Sequence, residues 1–165
     1  MRTPANIARH PIHPMLVTIP IGLWVFSLVC DLAFMFGAHD PTWKTVALYT
    51  MAGGIVGALV AAIPGLVDLL SLPDGPRGTA VIHMSINLAI VALFAVNFWM
   101  RYRAGDAGVA ETTPVWLSVL AVAMLLVSGW LGGKLVFEGG VGVDTEGLQG
   151  ERRAEPRRAT SPADD

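Results

Sequence analysis

Apolar residues run almost unbroken through four stretches of the chain, about Met15–Gly37, Thr45–Leu72, Thr79–Tyr102 and Thr113–Phe137. Each has at least the roughly 20 residues a helix needs to cross a bilayer. None shows the apolar–polar alternation of a barrel strand, and in lipid only a helix or a closed barrel satisfies its own backbone. The connections "AHDPTW", "PDGPRG" and "RAGDAGVAETTP" are short and carry the proline, glycine and aspartate that stop helices. Short connections make successive helices antiparallel neighbours. The pattern therefore predicts an all-α, integral membrane, up-down-up-down four-helix bundle over residues 14–138. Residues 1–13 precede it, and residues 139–165, rich in Gly, Pro, Arg and acids, read as a disordered C-terminal tail. The first apolar stretch is longer than the roughly 7–15-residue core of a signal peptide and lacks a small-x-small end, so it reads as a retained span.

Composition sharpens this picture. The chain is 53% hydrophobic and 15% charged, with mean hydropathy +0.57, whereas soluble domains carry about a quarter charged residues. The net charge of −2 gives no reason to expect a nucleic-acid partner. The single cysteine, Cys30, excludes an intrachain disulfide and any CxxC motif. No nucleophile elbow, phosphate loop or paired carboxylates at catalytic spacing occurs, so the residues do not read as an enzyme's.

Lys and Arg set the expected orientation. Arg2, Arg9, Arg77, Lys134, Arg152, Arg153, Arg157 and Arg158 fall on one side; Lys44, Arg101 and Arg103 fall on the other. A multi-pass protein of the inner (plasma) membrane with both termini in the cytoplasm is the expectation.

Polar residues within or beside the spans are the candidate chemistry, because placing them in lipid costs several kcal/mol. His10 and His13 precede the first helix, Asp68 lies near the end of the second, and His83 near the start of the third; Lys134 and Glu138 lie near the end of the fourth. In an antiparallel bundle these ends share one membrane face. Along the third span His83, Asn87, Ile90, Phe94, Asn97 and Arg101 follow spacings of 4, 3, 4, 3 and 4, a single stripe that should face the bundle interior. The second span carries Gly53, Gly57, Ala61 and Gly65 before Asp68, a small-residue series that admits a neighbouring helix or a flat cofactor. Asp31 and His39, near the opposite face, read as solvated.

Several chemistries suit such a cluster. His13 and His83, with His10 in reserve, are candidate axial ligands of haem b, and Asn87 is a candidate neighbour of that cofactor. His10, His13, His83 and Asp68 are alternatively a candidate transition-metal set. Asp68 with His83 could instead handle a proton or a quinone. The plainest reading is an interfacial cap without a cofactor. Lipid, a redox protein or quinone, and a second copy of the chain are the partners these readings imply.

The segments "HPIHPMLVTIPIGLWVFSLVCDL", "AAIPGLVDLLSLP", "AVIHMSINLAIVALFAVNFWMR" and "GWLGGKLVFEGGVGVD" together resemble the domain of unknown function 2231 family of bacterial membrane proteins over about residues 9–144. The resemblance implies a four-span membrane protein and, because some relatives are joined to Rieske-type modules, redox company. By motif position it directs attention to His10, His13, Asp31, Asp68, His83 and Asn87. Phe137 stands where the family suggests tyrosine, and Gly139 where a histidine is frequent, which removes one ligand from the cluster. Two roles follow as expectations: a haem- or metal-binding electron-transfer component, or a non-catalytic accessory or small-molecule-binding subunit with no redox centre.

Overall fold

A computed structural model describes residues 2–105 and 112–143, which leaves most of the third connection and residues 144–165 of the expected tail outside the described part. Two short strands, β1 (Asn6–Ile7) and β2 (His10–Pro11), pair antiparallel before the first span. The first span comprises α1 (Ile12–Leu16), α2 (Thr18–Ala33) and a π-helical turn at Phe34–Ala38; α3 (Pro41–Ser71), α4 (Asp74–Ala104) and α5 (Thr112–Phe137) are the other three. All four are long and apolar enough to cross a membrane, as the pattern predicts.

The helices extend beyond the apolar runs. The start of α4 takes in Pro76, Arg77 and Gly78 of the expected second loop. Pro76 falls in the first turn, where a missing N–H removes no intrahelical bond. At the start of α3 the Asp40 carboxylate accepts the Thr42 amide N–H at 2.8 Å. That bond holds the Asp40 carboxyl below its ordinary pKa. The α3 helix runs unbroken through Pro64.

The spans pack in cyclic order, α2 against α3, α3 against α4, α4 against α5 and α5 against α2. Lipid tails are as apolar as the side chains, so helices associate through close packing and hydrogen bonds rather than a hydrophobic drive. Both devices are visible between the first span and α3. Side chains of the first span lie against glycines of α3: Ile19 and Pro20 at Gly57, Leu23 at Gly53 and the Trp24 indole at Gly54. The same face of α3 lends carbonyls to that span, with Trp24 Nε1–H donating to Met51 O at 3.2 Å and Ser27 O–H to Ala47 O at 2.9 Å. As one helix ascends its contacts on the other descend, which is antiparallel packing in fixed register.

The central core takes one or two residues from each span: Trp24, Met51, Ile90, Phe94 and Ala121. Trp24 and Phe94 stack across its diagonal with ring centres 4.4 Å apart and planes 11° from parallel. A smaller cluster of Leu69, Leu72, Ala80 and Leu135 closes one end, joined by Met84 and by Val141 from the turn that follows α5. The large apolar side chains on the other faces, Leu126, Trp130 and Phe137 among them, point outward as lipid contacts require.

Candidate functional site

The interior stripe of α4 divides into two polar layers separated by Ile90 and Phe94. The first layer contains His83 and Asn87. His83 Nδ1 lies 3.0 Å from Ser128 O and 3.1 Å from Ser128 Oγ, so α5 receives the imidazole. Asn87, one turn along, donates its amide N–H to His83 Nε2 at 3.1 Å and to His83 O at 3.0 Å. Ser128 O–H in turn donates to Asn87 Oδ1 at 2.9 Å.

These bonds admit one assignment. The Asn87 nitrogen faces the His83 carbonyl oxygen, which can only accept, so reversing the amide would set oxygen against oxygen. A donated hydrogen bond at Nε2 leaves that atom unprotonated, and the ring proton therefore sits on Nδ1, pointing at Ser128. His83 is a neutral imidazole with a fixed tautomer.

His13 reaches the same layer from the other side of the bundle. Its Nδ1–H donates to Ala61 O on α3 at 2.8 Å. Gly65, one turn further along, gives the ring its place: a Cβ there would lie 2.8 Å from His13 Nδ1 and 2.9 Å from Cε1. The imidazoles of His13 and His83 meet edge to face, with centres 6.5 Å apart and planes at 88°. Each is held by a carbonyl of its own sequence-neighbour helix, and the two meet across the diagonal.

The site lies inside the span. The 31-residue α4 is about 46 Å long, against about 30 Å of hydrocarbon. His83, nine residues from its start, sits about 13 Å along the axis, or about 5 Å below the hydrocarbon edge for a centred helix. The Leu69–Leu135 cluster lies toward the membrane face on one side and the Trp24–Phe94 core on the other.

Other expected members take different places. His10 is exposed in the β1–β2 hairpin, its Nδ1 turned to Ala8 O at 2.9 Å. Ala8 and Arg9 form the hairpin turn in left-handed conformations, φ 49° and 70°, and His10 follows it on β2. The buried Asp68 carboxylate accepts the Ala5 backbone N–H at 2.9 Å, so it ties the N-terminal segment to the end of α3. Among the described residues no group of three or more His, Cys, Asp or Glu is arranged to hold a metal ion. Lys134 and Glu138 pair on the surface at 3.7 Å.

The second polar layer corrects an expectation. Asp31, read as solvated, is 4% exposed, and Arg101, counted among the third-loop cations, is 4% exposed on α4. Arg101 grips both carboxylate oxygens of Asp31, Nη1 to Oδ1 at 2.5 Å and Nη2 to Oδ2 at 2.7 Å. Its Nε–H donates to Asn97 Oδ1 at 2.8 Å, and the Asn97 amide donates to Pro114 O at 2.7 Å and Ser118 Oγ at 2.8 Å. Burial of two charges is sustained because every polar atom in the layer has a partner. This is a second diagonal tie, α2 to α4, at the opposite end from the histidines. His39, by contrast, is exposed as expected.

A family model described as "Predicted membrane protein (DUF2231)" matches residues 9–145. No curated protein and no solved structure matches the chain.

Proposed function

The chain belongs to the DUF2231 family of predicted membrane proteins, and we propose that it is an electron-transfer component that holds haem b between His13 and His83. The observation that carries this reading is the histidine pair itself. Each Nδ1–H is fixed on a backbone carbonyl, the arrangement that orients metal-ligating imidazoles and directs Nε2 to the ion. The two rings lie in one layer with centres 6.5 Å apart, so both imidazoles would be at hand for one cofactor. Two protein ligands suit haem iron, because the porphyrin supplies the other four nitrogens. Haem bound there would supply one-electron chemistry; His13 and His83 would hold it, and the apolar clusters on either side would keep water from it.

In this reading the protein lies in the inner membrane with both termini cytoplasmic, and its electron partner is a quinone or a redox protein. The burial of Arg101 against Asp31 supports that orientation, since it leaves Lys44 and Arg103 as the described loop-side cations opposite the histidine face.

An absorption spectrum of detergent-purified protein from haem-replete cells tests the reading. The expected result is a Soret band with a haem:protein ratio near one, abolished in both His13→Ala and His83→Ala. One observation favours a second reading, an accessory or small-molecule-binding subunit without a redox centre: Asn87 already satisfies His83 Nε2. A colourless preparation that stays colourless after hemin addition would decide for it.

A further inference from the structure

We infer that residues 3–11 form a releasable strap over the histidine end of the bundle, and that Asp68 is the positioning residue that holds it closed. Release admits water and small polar solutes to the layer of His13 and His83, with or without a cofactor there.

The strap is tied to three helix ends. Ala5 is engaged on both sides: its N–H donates to Asp68 Oδ1 on α3 at 2.9 Å, and its carbonyl accepts the Ile12 N–H at 3.0 Å where α1 begins. Beyond the hairpin, Pro11 meets the turn that follows α5, where a Cβ at Gly142 would lie 3.4 Å from Pro11 Cγ. Val141 of that turn packs on the Leu69–Leu135 cluster. On α3 the order is Ala61, which bonds His13, then Gly65, which abuts its ring, then Asp68. The tie therefore lies about one helical turn beyond the His13 notch, on the side of the membrane face.

Closure is opposed as well as held. Ala8 and Arg9, the two residues between the paired strands, both have positive φ, 49° and 70°. A two-residue turn of this form favours Asn-Gly, and an ordinary side chain is strained in it. Thr3 is 3% exposed, and its hydroxyl has no hydrogen-bond partner among the described residues. Burying that group costs stability that release into water restores. Such costs persist only where the surroundings impose the conformation. The Asp68 carboxylate, fixed on α3, supplies the constraint through a charge-assisted bond to a backbone N–H. Strain on one side and a strong bond on the other make an element with two states, closed in this structure.

Substitutions on the two sides of the balance should act in opposite directions. Asp68→Ala removes the acceptor, and Ala5→Pro removes the donor N–H without touching the bundle. Each should speed entry beneath the strap by about tenfold to a hundredfold, the equivalent of one hydrogen bond to a charged group. Asp68→Asn keeps an oxygen for the same N–H and should stay near the parent rate. Ala8→Asn/Arg9→Gly installs the pair that the turn favours and should slow entry several-fold.

The test is thiol labelling of full-length, detergent-purified protein that carries Met84→Cys as the parent substitution. Met84 packs on the Leu69–Leu135 cluster beside His83. The probe is a negatively charged methanethiosulfonate, which the apolar interior of the micelle excludes, so it reaches position 84 only through the mouth. Native Cys30, fully buried nearer the other face, is the internal control for unfolding, and mass spectrometry separates the two sites. Release predicts faster labelling at position 84 alone in Asp68→Ala and Ala5→Pro, and slower labelling in the turn variant. Equal rates in the parent and both opening variants would overturn the strap, as would a turn variant that labels no more slowly than the parent. Labelling of Cys30 together with position 84 would mean that Asp68 supports the whole bundle rather than a strap, and would overturn it too.

Discussion

Replacing Arg101 by methionine is expected to lower the stability of the bundle by about 3–5 kcal/mol, the effect of leaving one member of a buried ion pair without its partner. Asp31, buried on α2, would keep its place with no cation beside its charge. Asn97 would lose the guanidinium donor at its Oδ1, so the amide that bridges α4 to Pro114 and Ser118 on α5 would loosen as well. The informative comparison is with the double variant Asp31→Leu/Arg101→Met. Both charges and their desolvation penalty then disappear together, and the double variant should be markedly more stable than Arg101→Met alone. Thermal unfolding in detergent, followed by size-exclusion chromatography of the surviving fraction, measures all four members of the cycle. Additive losses would show that Asp31 and Arg101 do not act as a pair.

The second large effect is expected at Gly65. A methyl group there meets the His13 ring at 2.8–2.9 Å, closer than side chains pack, and the ring cannot retreat without breaking its bond to Ala61 O. Overpacking of this kind costs about 1–3 kcal/mol, and Gly65→Ala should also push His13 off the diagonal. Gly132 provides the control. Its Cβ would meet His83 Cε1 at 3.4 Å, an ordinary contact, so Gly132→Ala should leave stability within about 0.5 kcal/mol. Thermal unfolding reads the first effect. Retained hemin uptake in Gly132→Ala with loss in Gly65→Ala reads the second.

The fold was legible because lipid makes the pattern simple. Four apolar runs with short breaks admit little besides an antiparallel helical bundle, and polar residues within a span must turn inward. The α4 stripe was readable for that reason: Ile90, Phe94, Asn97 and Arg101 are buried, and His83 and Asn87 are half-buried and bonded. The glycines of α3 were readable as a close-packing face, but not as the notch for a particular ring. What the residues could not announce was their partners. Asp31 looks solvated when seen as one acid near a span end; its burial follows from its pairing with Arg101, the last member of the α4 stripe, a partner that the stripe alone does not name. His10 and His13 look alike, each followed by proline, but His10 lies on β2 of a hairpin whose turn, Ala8 and Arg9, lacks the Asn-Gly signal such turns favour, whereas His13 lies in α1. The partner of Asp68 is a backbone N–H, which no residue type marks. The part of Ser128 in the His83 circuit depends on the register of α5 against α4, which the residue types do not reveal.

The most direct test of the central claim, one iron held by His13 and His83, is low-temperature electron paramagnetic resonance of the oxidised, haem-loaded protein. Imidazole planes at 88° predict a strongly anisotropic low-spin ferric signal, one per chain, absent from His13→Ala and His83→Ala. A rhombic signal typical of parallel planes, a signal that survives either substitution, or no low-spin haem at all would contradict it.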